Sequence, residues 1–172
     1  SWLKDRLITI GENPKNNIVD ITNFILHDTG HPIHAYDYDK IKDGKLLVSD
    51  CENNTTFEAL NGQKFELQKG DIVIKDSLQT LCLGGIVGGK NSEITKETKR
   101  VVLECAYFNS TAVRLSSERI GFKSEAAMKY EKGVDPNQTA FVLKKSMQMM
   151  GAITGARKAS DIILTTKETF PF

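Results

Sequence analysis

The sequence has few cysteines, no excess of charge of either sign and no long hydrophobic run. Its three cysteines, Cys51, Cys82 and Cys105, are odd in number and form no Cys-x-x-Cys pair, a pattern typical of reduced, buried thiols in a cytoplasmic protein. The formal net charge of +1 excludes a strongly basic nucleic-acid scaffold and leaves room for a local basic patch. No apolar run approaches the roughly 20 residues that cross a bilayer, so we expect no membrane partner.

Histidine is equally scarce. All three histidines, His27, His31 and His34, fall within eight positions. His27 and His31 have the i, i+4 spacing of a helical metal site, but Gly30 and Pro32 interrupt a helix at this point. A zinc site would also need further ligands at a recognisable spacing. The sequence therefore predicts no bound metal.

What is present is an ordinary globular composition. The chain has 172 residues, of which 40% are hydrophobic and 26% charged, as in soluble domains. This length fits one domain spanning residues 1–172. The chain starts with Ser1-Trp2 and not with methionine, and the start has no apolar segment typical of a signal peptide. We therefore expect a domain cut from a longer chain.

Periodicity predicts helices at both ends and strands between them. Apolar spacing indicates a helix over 2–10, and a second helix begins at Asn16 or Asn17 and ends at Gly30, with Asp20 and Asn23 off its apolar face. Pro32 blocks helix in residues 31–40, which read as an ordered loop. Strands are expected over 45–50, 55–60, 63–67, 71–75, 80–83, 100–106 and 161–164, and helices over 110–120, 124–132 and 137–150.

This order of elements favours an α+β fold. The predicted core is a mostly antiparallel β-sheet or sandwich, flanked by helices at both chain ends. Asn61-Gly62 is a strong hairpin turn between two of the strands. Strand 71–75 is expected to pair with strand 80–83.

Amides, hydroxyls and imidazoles are concentrated in residues 16–23 (NNIVDITN) and 31–37 (HPIHAYD). Such groups are costly to bury unpaired, so their density indicates a polar recognition surface. No serine–histidine–acid motif accompanies them. The segment points to reading a substrate more than to a protein nucleophile.

Two further features allow two interpretations each. The glycines of residues 84–89 (GGIVGG) either let a ligand approach bare backbone or mark a bulge or tight crossing of strands. Glu104 lies in an otherwise apolar strand, so it either points to solvent by alternation or lines a pocket as a hydrogen-bond acceptor. Ser124 is a good N-cap, and Ala126 is small enough for a pocket floor.

Five motifs in this order closely resemble the editing domain of the bacterial phenylalanyl-tRNA synthetase beta subunit. The resemblance covers the chain from Trp2 to about Met150. The motifs are NNIVDITN (16–23), GHPIHAYD (30–37), GGIVGG (84–89), LECA (103–106) and SEAAMKYEKGVDP (124–136).

The resemblance implies hydrolysis of mischarged tyrosyl-tRNA(Phe). A pocket built for phenylalanine rejects an added hydroxyl by only about 10², so a second site must require that hydroxyl. The resemblance places Glu104 as its acceptor, with Gly85, Ser124 and Ala126 at the pocket wall. Around the ester and the terminal adenosine it places Thr22, Asn23 and His34, with Pro32 fixing the loop that presents His34.

The resemblance also sets the wider expectations. A positioned water is the attacking group, and His34 orients it or polarises the carbonyl. Ser124 stands where the family commonly has threonine, and Lys123 where a neutral residue or histidine is expected. The domain needs no cofactor, whereas the parent synthetase uses ATP and magnesium. Its partners are the tRNA(Phe) 3′ end, the alpha subunit and the remaining beta-subunit domains. The alternative is a catalytically silent structural or tRNA-docking module.

Overall fold

A computed structural model describes residues 1–165 and gives an α+β fold with helices at both ends. Asn16 caps the second helix by accepting a hydrogen bond from the Val19 amide at 3.0 Å, and Gly30 ends it in the left-handed conformation at φ 73°, as predicted. The helices are α1 (Trp2–Thr9), α2 (Asn17–Thr29), α3 (Ser110–Ile120), α4 (Glu125–Lys132) and α5 (Thr139–Thr154).

The strands form three antiparallel sheets. A four-stranded sheet has the order β2-β5-β6-β7, β3 pairs with β4 in a hairpin, and β1 pairs with β8 in a two-stranded ribbon. The predicted turn at Asn61-Gly62 connects β3 to β4. The strands are β1 (His34–Asp37), β2 (Leu47–Asp50), β3 (Thr55–Glu58), β4 (Lys64–Leu67), β5 (Ile72–Lys75), β6 (Thr80–Leu83), β7 (Val87–Gly88) and β8 (Val101–Glu104).

The interpretation of residues 31–40 as a loop is wrong in its central part. Residues 34–37 form β1, which pairs with β8 from His34 opposite Glu104 to Asp37 opposite Val101. Pro32 does exclude helix, but it lies before the strand and leaves its hydrogen bonds intact. The partner strand is far away in sequence, so no local signal announced the pairing.

Two predictions near the C-terminus also need correction. Residues 161–164 form no strand, because no described strand pairs with them and Ile163 stays 81% exposed. The last helix was predicted over 137–150. Instead a short 3-10 turn (Pro136–Gln138) precedes α5, which continues to Thr154 before Gly155 adopts φ 72°. No helix within residues 1–165 is long and apolar enough to cross a membrane.

The β1–β8 ribbon separates two hydrophobic cores. One face contributes Tyr36 and Val102 to a large core built from the other sheets, α3 and α4. The opposite face turns Leu103 and Cys105 toward a smaller core between α1, α2 and α5. Side chains alternate along a strand, so His34 and Glu104 share the face of Tyr36. The ribbon therefore presents the predicted polar residues to the larger core.

Candidate functional site

His34 and Glu104 lie directly opposite each other on neighbouring strands. Cβ atoms of such a pair are about 4.5–5.5 Å apart on one face of the ribbon. Glu104 therefore does not simply alternate into open solvent. It is only partly exposed, and its carboxylate points among side chains of the larger core. The pairing of the two strands thus brings a carboxylate and an imidazole to neighbouring positions, although the two residues are 70 positions apart in sequence.

Tyr36 is a member of this group that the sequence did not single out. Its side chain is fully buried at 0% exposure, and its hydroxyl donates a short hydrogen bond to Glu104 Oε2. Burial raises the pKa of Tyr36 well above its usual range, so the phenol keeps its proton. Had β1 been recognised, the two-residue spacing from His34 would have placed Tyr36 on the same face.

Burial dominates the electrostatics of Glu104. Loss of solvation raises the pKa of its carboxyl to about 7, against a smaller lowering by the Tyr36 hydrogen bond. Two more protein groups lie within reach of its charge: Cys82 on β6 and Tyr130 on α4. Their pKa values are raised well above the usual range, first by burial and also by the negative charge of Glu104. Neither residue was predicted for the site.

The His34 ring is held between Tyr36 and a glycine. It meets the Tyr36 ring edge-on, with the ring centres 4.5 Å apart. On its other side, a Cβ built on Gly88 would stand 2.5 Å from His34 Cε1 and 2.7 Å from Nε2. Burial lowers the pKa of His34 to about 4. The imidazole is therefore neutral at pH 7, with one ring nitrogen able to accept a hydrogen bond.

The glycine segment 84–89 is closely packed. Gly85 has φ 72°, and a Cβ there would come within 3.0–3.1 Å of Val113, Phe108 and Tyr130. This matches the tight-crossing interpretation, because the missing side chain makes room for protein atoms. Gly85 and Gly88 nevertheless border two members of the group described above, Tyr130 and His34.

Ser124 joins helix α4 to the glycine segment. Its hydroxyl donates to the Ile86 carbonyl at 2.6 Å and accepts from the Ala127 amide at 3.1 Å. The N-cap prediction is confirmed, and the second bond anchors the helix start to the segment. Ala126, half-buried, packs against the larger core. Lys123, unexplained by the sequence, forms an ion pair with Glu131 at 2.7 Å.

Thr22 and Asn23 lie on α2, which packs against β1. The Thr22 hydroxyl donates to the Val19 carbonyl of its own helix at 2.8 Å, and Asn23 is partly exposed. Within residues 1–165, no hydrogen bond or ion pair joins either residue to His34 or Glu104. Pro32 is buried at the entry to β1. The structure thus brings His34 and Glu104 together directly, whereas Thr22 and Asn23 lie on a helix that packs against the opposite face of the β1–β8 ribbon.

The remaining histidines have other partners. His31 is buried and bonds through Nε2 to the Ala106 carbonyl at 3.0 Å, an acceptor shared with the Tyr130 hydroxyl. His27 faces Glu12 at 3.4 Å. The three rings do not converge on one point.

Another buried polar group was missed by the sequence analysis. Asp20 lies off the apolar stripe of α2, as expected, but is only 1% exposed. Its Oδ1 accepts from the Lys15 amide at 2.7 Å, whereas Oδ2 is buried without a hydrogen-bond partner among residues 1–165.

Two open surface depressions, which share Lys69 and Gly70, are lined by none of the predicted site residues.

Comparison of the sequence with known proteins identifies a family and several similar proteins. A family model described as "B3/4 domain" matches residues 1–155. Phenylalanine–tRNA ligase beta subunits are similar to most of the chain. That of Bacteroides fragilis is 39% identical over 94% of this chain, and those of Protochlamydia amoebophila and Geobacter metallireducens are 37% identical over 90% and 95%.

The chain spans about a fifth of the length of these relatives: 20%, 19% and 20%, respectively. The family match covers every residue that the structure brings together around Glu104. On this match and these identities, the chain belongs to the B3/4 domain family.

Proposed function

We propose that this chain is the editing domain of a phenylalanine–tRNA ligase beta subunit and hydrolyses mischarged tyrosyl-tRNA(Phe). Its family and its relatives support this proposal. The observation that carries it is a desolvated carboxylate, Glu104, facing His34 across an antiparallel pair. An acceptor for a phenol and a polar group for an ester are thereby combined in one place.

The carboxylate provides the discrimination. Tyrosine differs from phenylalanine by one hydroxyl, which donates to Glu104 in the proposed complex. A carboxylate accepts at both oxygens, and the Tyr36 bond uses only Oε2. A phenylalanine ring placed there would strip water from the carboxylate and return no hydrogen bond, which costs about 1–3 kcal/mol or more. The editing site therefore favours tyrosine, the amino acid that the phenylalanine pocket of the aminoacylation site rejects too weakly.

Hydrolysis needs an attacking oxygen, and water supplies it in this proposal. The cysteines near Glu104 are poor nucleophiles because burial raises their thiol pKa values, that of Cys105 to about 12. Neutral His34 has a ring nitrogen that accepts a hydrogen bond and orients the water toward the ester carbonyl. Thr22 and Asn23, on the adjacent helix, contribute polar groups near the ester and the terminal adenosine.

The pocket wall comes from the segments that pack around this pair. Gly85 brings bare backbone close to the phenol, and Pro32 sets the entry to the strand that carries His34. Ser124 fixes the start of α4 against the glycine segment, so that Ala126 presents a small side chain. The serine hydroxyl performs the capping role that a threonine hydroxyl would also perform.

The proposal extends to the parent enzyme. We propose a cytoplasmic ligase built from alpha and beta subunits, in which this domain meets the tRNA(Phe) 3′ end, the alpha subunit and the other beta-subunit domains. ATP and magnesium serve the aminoacylation reaction, and hydrolysis in this domain uses neither. An ester hydrolysis by water requires no redox group or group carrier.

Deacylation kinetics of the whole ligase test the proposal. We expect Glu104→Ala to lower kcat/KM for tyrosyl-tRNA(Phe) about 10–100-fold, because it removes a hydrogen bond to a charged acceptor. Preference for tyrosine over phenylalanine should fall in parallel, with aminoacylation unchanged. Glu58→Ala, which removes an exposed carboxylate from β3, is the matched control.

The same assay separates the alternative function. A wild-type ligase that fails to deacylate tyrosyl-tRNA(Phe) above the uncatalysed rate would identify this chain as a silent docking module. Normal, tyrosine-selective deacylation by Glu104→Ala would instead show that hydrolysis occurs without this carboxylate.

A further inference from the structure

We propose that Tyr36 is a positioning residue for specificity: its hydroxyl holds the Glu104 carboxylate so that one oxygen stays available to the substrate phenol. This inference rests on the proposed function of Glu104. It adds a residue that acts through the acceptor and does not itself contact the substrate. The geometry that carries it is the hydrogen bond between β1 and β8, joining residues 68 positions apart in sequence.

The bond is built into the sheet register. His34 lies opposite Glu104, and Tyr36 lies opposite Val102. Tyr36 and Glu104 are therefore diagonal neighbours on one face, a separation that an aromatic side chain can span. The pairing of the strands itself sets where the phenol meets the carboxylate.

Packing fixes the donor. The Tyr36 side chain is fully buried, and the His34 ring stands edge-on against it at 86°. A ring held on all sides keeps its rotamer, so the hydroxyl is preorganised toward Glu104 Oε2. Glu104 has three rotatable side-chain bonds and would otherwise sample several orientations at a partly exposed position. The hydrogen bond selects one of them.

The groups around Glu104 make the Tyr36 hydrogen bond important for the ionisation of the carboxyl. The groups facing Glu104 are His34 and Tyr36 from β1, Cys82 from β6 and Tyr130 from α4, with Cys105 next to it in sequence. Burial favours the neutral form of each of these groups near pH 7, so none of them carries a positive charge that would lower the pKa of the carboxyl. The Tyr36 hydroxyl is the group that lowers the Glu104 pKa against the effect of burial. Ionised Glu104 is also the stronger acceptor for a phenol.

The test is Tyr36→Phe in the whole ligase, with deacylation of tyrosyl- and phenylalanyl-tRNA(Phe) measured from pH 6 to 9. Phenylalanine keeps the ring and removes only the donor. We expect tyrosine preference at pH 7 to fall about tenfold, because Glu104 is then less often ionised and less firmly oriented to accept from the substrate phenol. The midpoint of the pH dependence of this preference should move up by about one pH unit.

Tyr38→Phe is the matched control. Tyr38 lies two residues further along the chain, and Arg100 packs over its ring at 4.5 Å. Its substitution removes a tyrosine hydroxyl from the same segment without touching Glu104. We expect neither the tyrosine preference nor the midpoint to change.

The outcomes are distinguishable from failure of the proposed function. If Glu104→Ala loses the preference while Tyr36→Phe keeps both wild-type preference and midpoint, the role of Tyr36 is overturned and that of Glu104 stands. Equal loss on both substrates without a midpoint shift would reveal a purely structural role and also overturn the inference. Thermal unfolding of each variant identifies the latter case independently.

Discussion

At the scale of single residues, His34 depends on the absence of a side chain at Gly88. A methyl group there would lie 2.5–2.7 Å from two imidazole atoms of His34. Leu60, at 3.0 Å, leaves the methyl group no room to shift away from the ring. The ring would have to rotate away from Tyr36 or the strands would have to separate. Gly88 is thus the glycine of segment 84–89 whose packing bears most directly on the proposed chemistry.

We therefore predict that Gly88→Ala destabilises the chain by about 1–3 kcal/mol, the usual cost of overpacking. Deacylation of tyrosyl-tRNA(Phe) should fall with it, because His34 is displaced. Urea unfolding measures the first effect and single-turnover hydrolysis the second. Gly151→Ala, inside α5 with its nearest atom at 3.4 Å, is the control and should be neutral or stabilising by about 0.5–1 kcal/mol. A Gly88→Ala variant as stable and active as wild type would contradict the packing argument.

At the scale of elements, the start of α4 carries two functions in one hydroxyl. Ser124 caps the helix and ties it to the Ile86 carbonyl. Asn109 caps α3 through a single bond to the Ala112 amide at 3.0 Å. The two caps differ in the additional tertiary bond, which makes them a natural pair for comparison.

We expect Ser124→Ala to cost about 1–3 kcal/mol and Asn109→Ala about 1 kcal/mol, because the first also leaves a buried carbonyl unpaired. Ser124→Thr should retain most of the stability, since the hydroxyl remains. Equilibrium unfolding of the three variants gives the comparison. Equal losses for the two alanine variants would show that the Ile86 bond contributes nothing.

Elements with local signals were predictable from the sequence, and elements made by distant pairing were not. Helix α3 begins and ends at the predicted residues because its apolar residues repeat at helical spacing and Gly121 ends it. Strand β1 was missed because its stability comes from β8, more than 60 residues later. Tyr36 was not predicted for the same reason, because its hydrogen-bond partner Glu104 can be identified only once the register of β1 and β8 is known.

The candidate site follows the same division. His34 and Glu104 stood out by residue type in unusual surroundings, and the structure places them opposite each other. The partners of Asp20 and the closeness of Cys82 and Tyr130 to Glu104 depend on packing that no spacing rule encodes. Lys123 has a structural explanation in Glu131, eight residues later and one helix length away.

At the scale of the whole molecule, His34 and Glu104 have opposite effects on stability as pH changes. The folded pKa of Glu104 is raised from 4.5 to about 7, so its contribution to stability falls as pH rises through that interval. The folded pKa of His34 is lowered from 6.5 to about 4, so its contribution falls as pH drops through that interval. Between about pH 4.5 and 6.5 the two effects offset each other.

Single substitutions should expose each effect. Relative to wild type, we predict that Glu104→Gln gains about 2–3 kcal/mol of unfolding free energy between pH 5 and pH 8, because the cost of ionising a partly buried carboxyl is gone. His34→Gln should show the reverse trend: its unfolding free energy relative to wild type should fall as pH rises from 4 to 6.5. Urea unfolding across this range measures both differences, and pH-independent differences would contradict the burial of these groups.

The central claim is that Glu104 recognises a phenol, and a structure of this chain with bound tyrosine tests it most directly. We predict the tyrosine hydroxyl within hydrogen-bonding distance of Glu104 Oε1, the Tyr36 hydroxyl still on Oε2, and the tyrosine carboxyl group on the side of His34. Tyrosine bound elsewhere, with the Glu104 carboxylate unoccupied, would contradict the account.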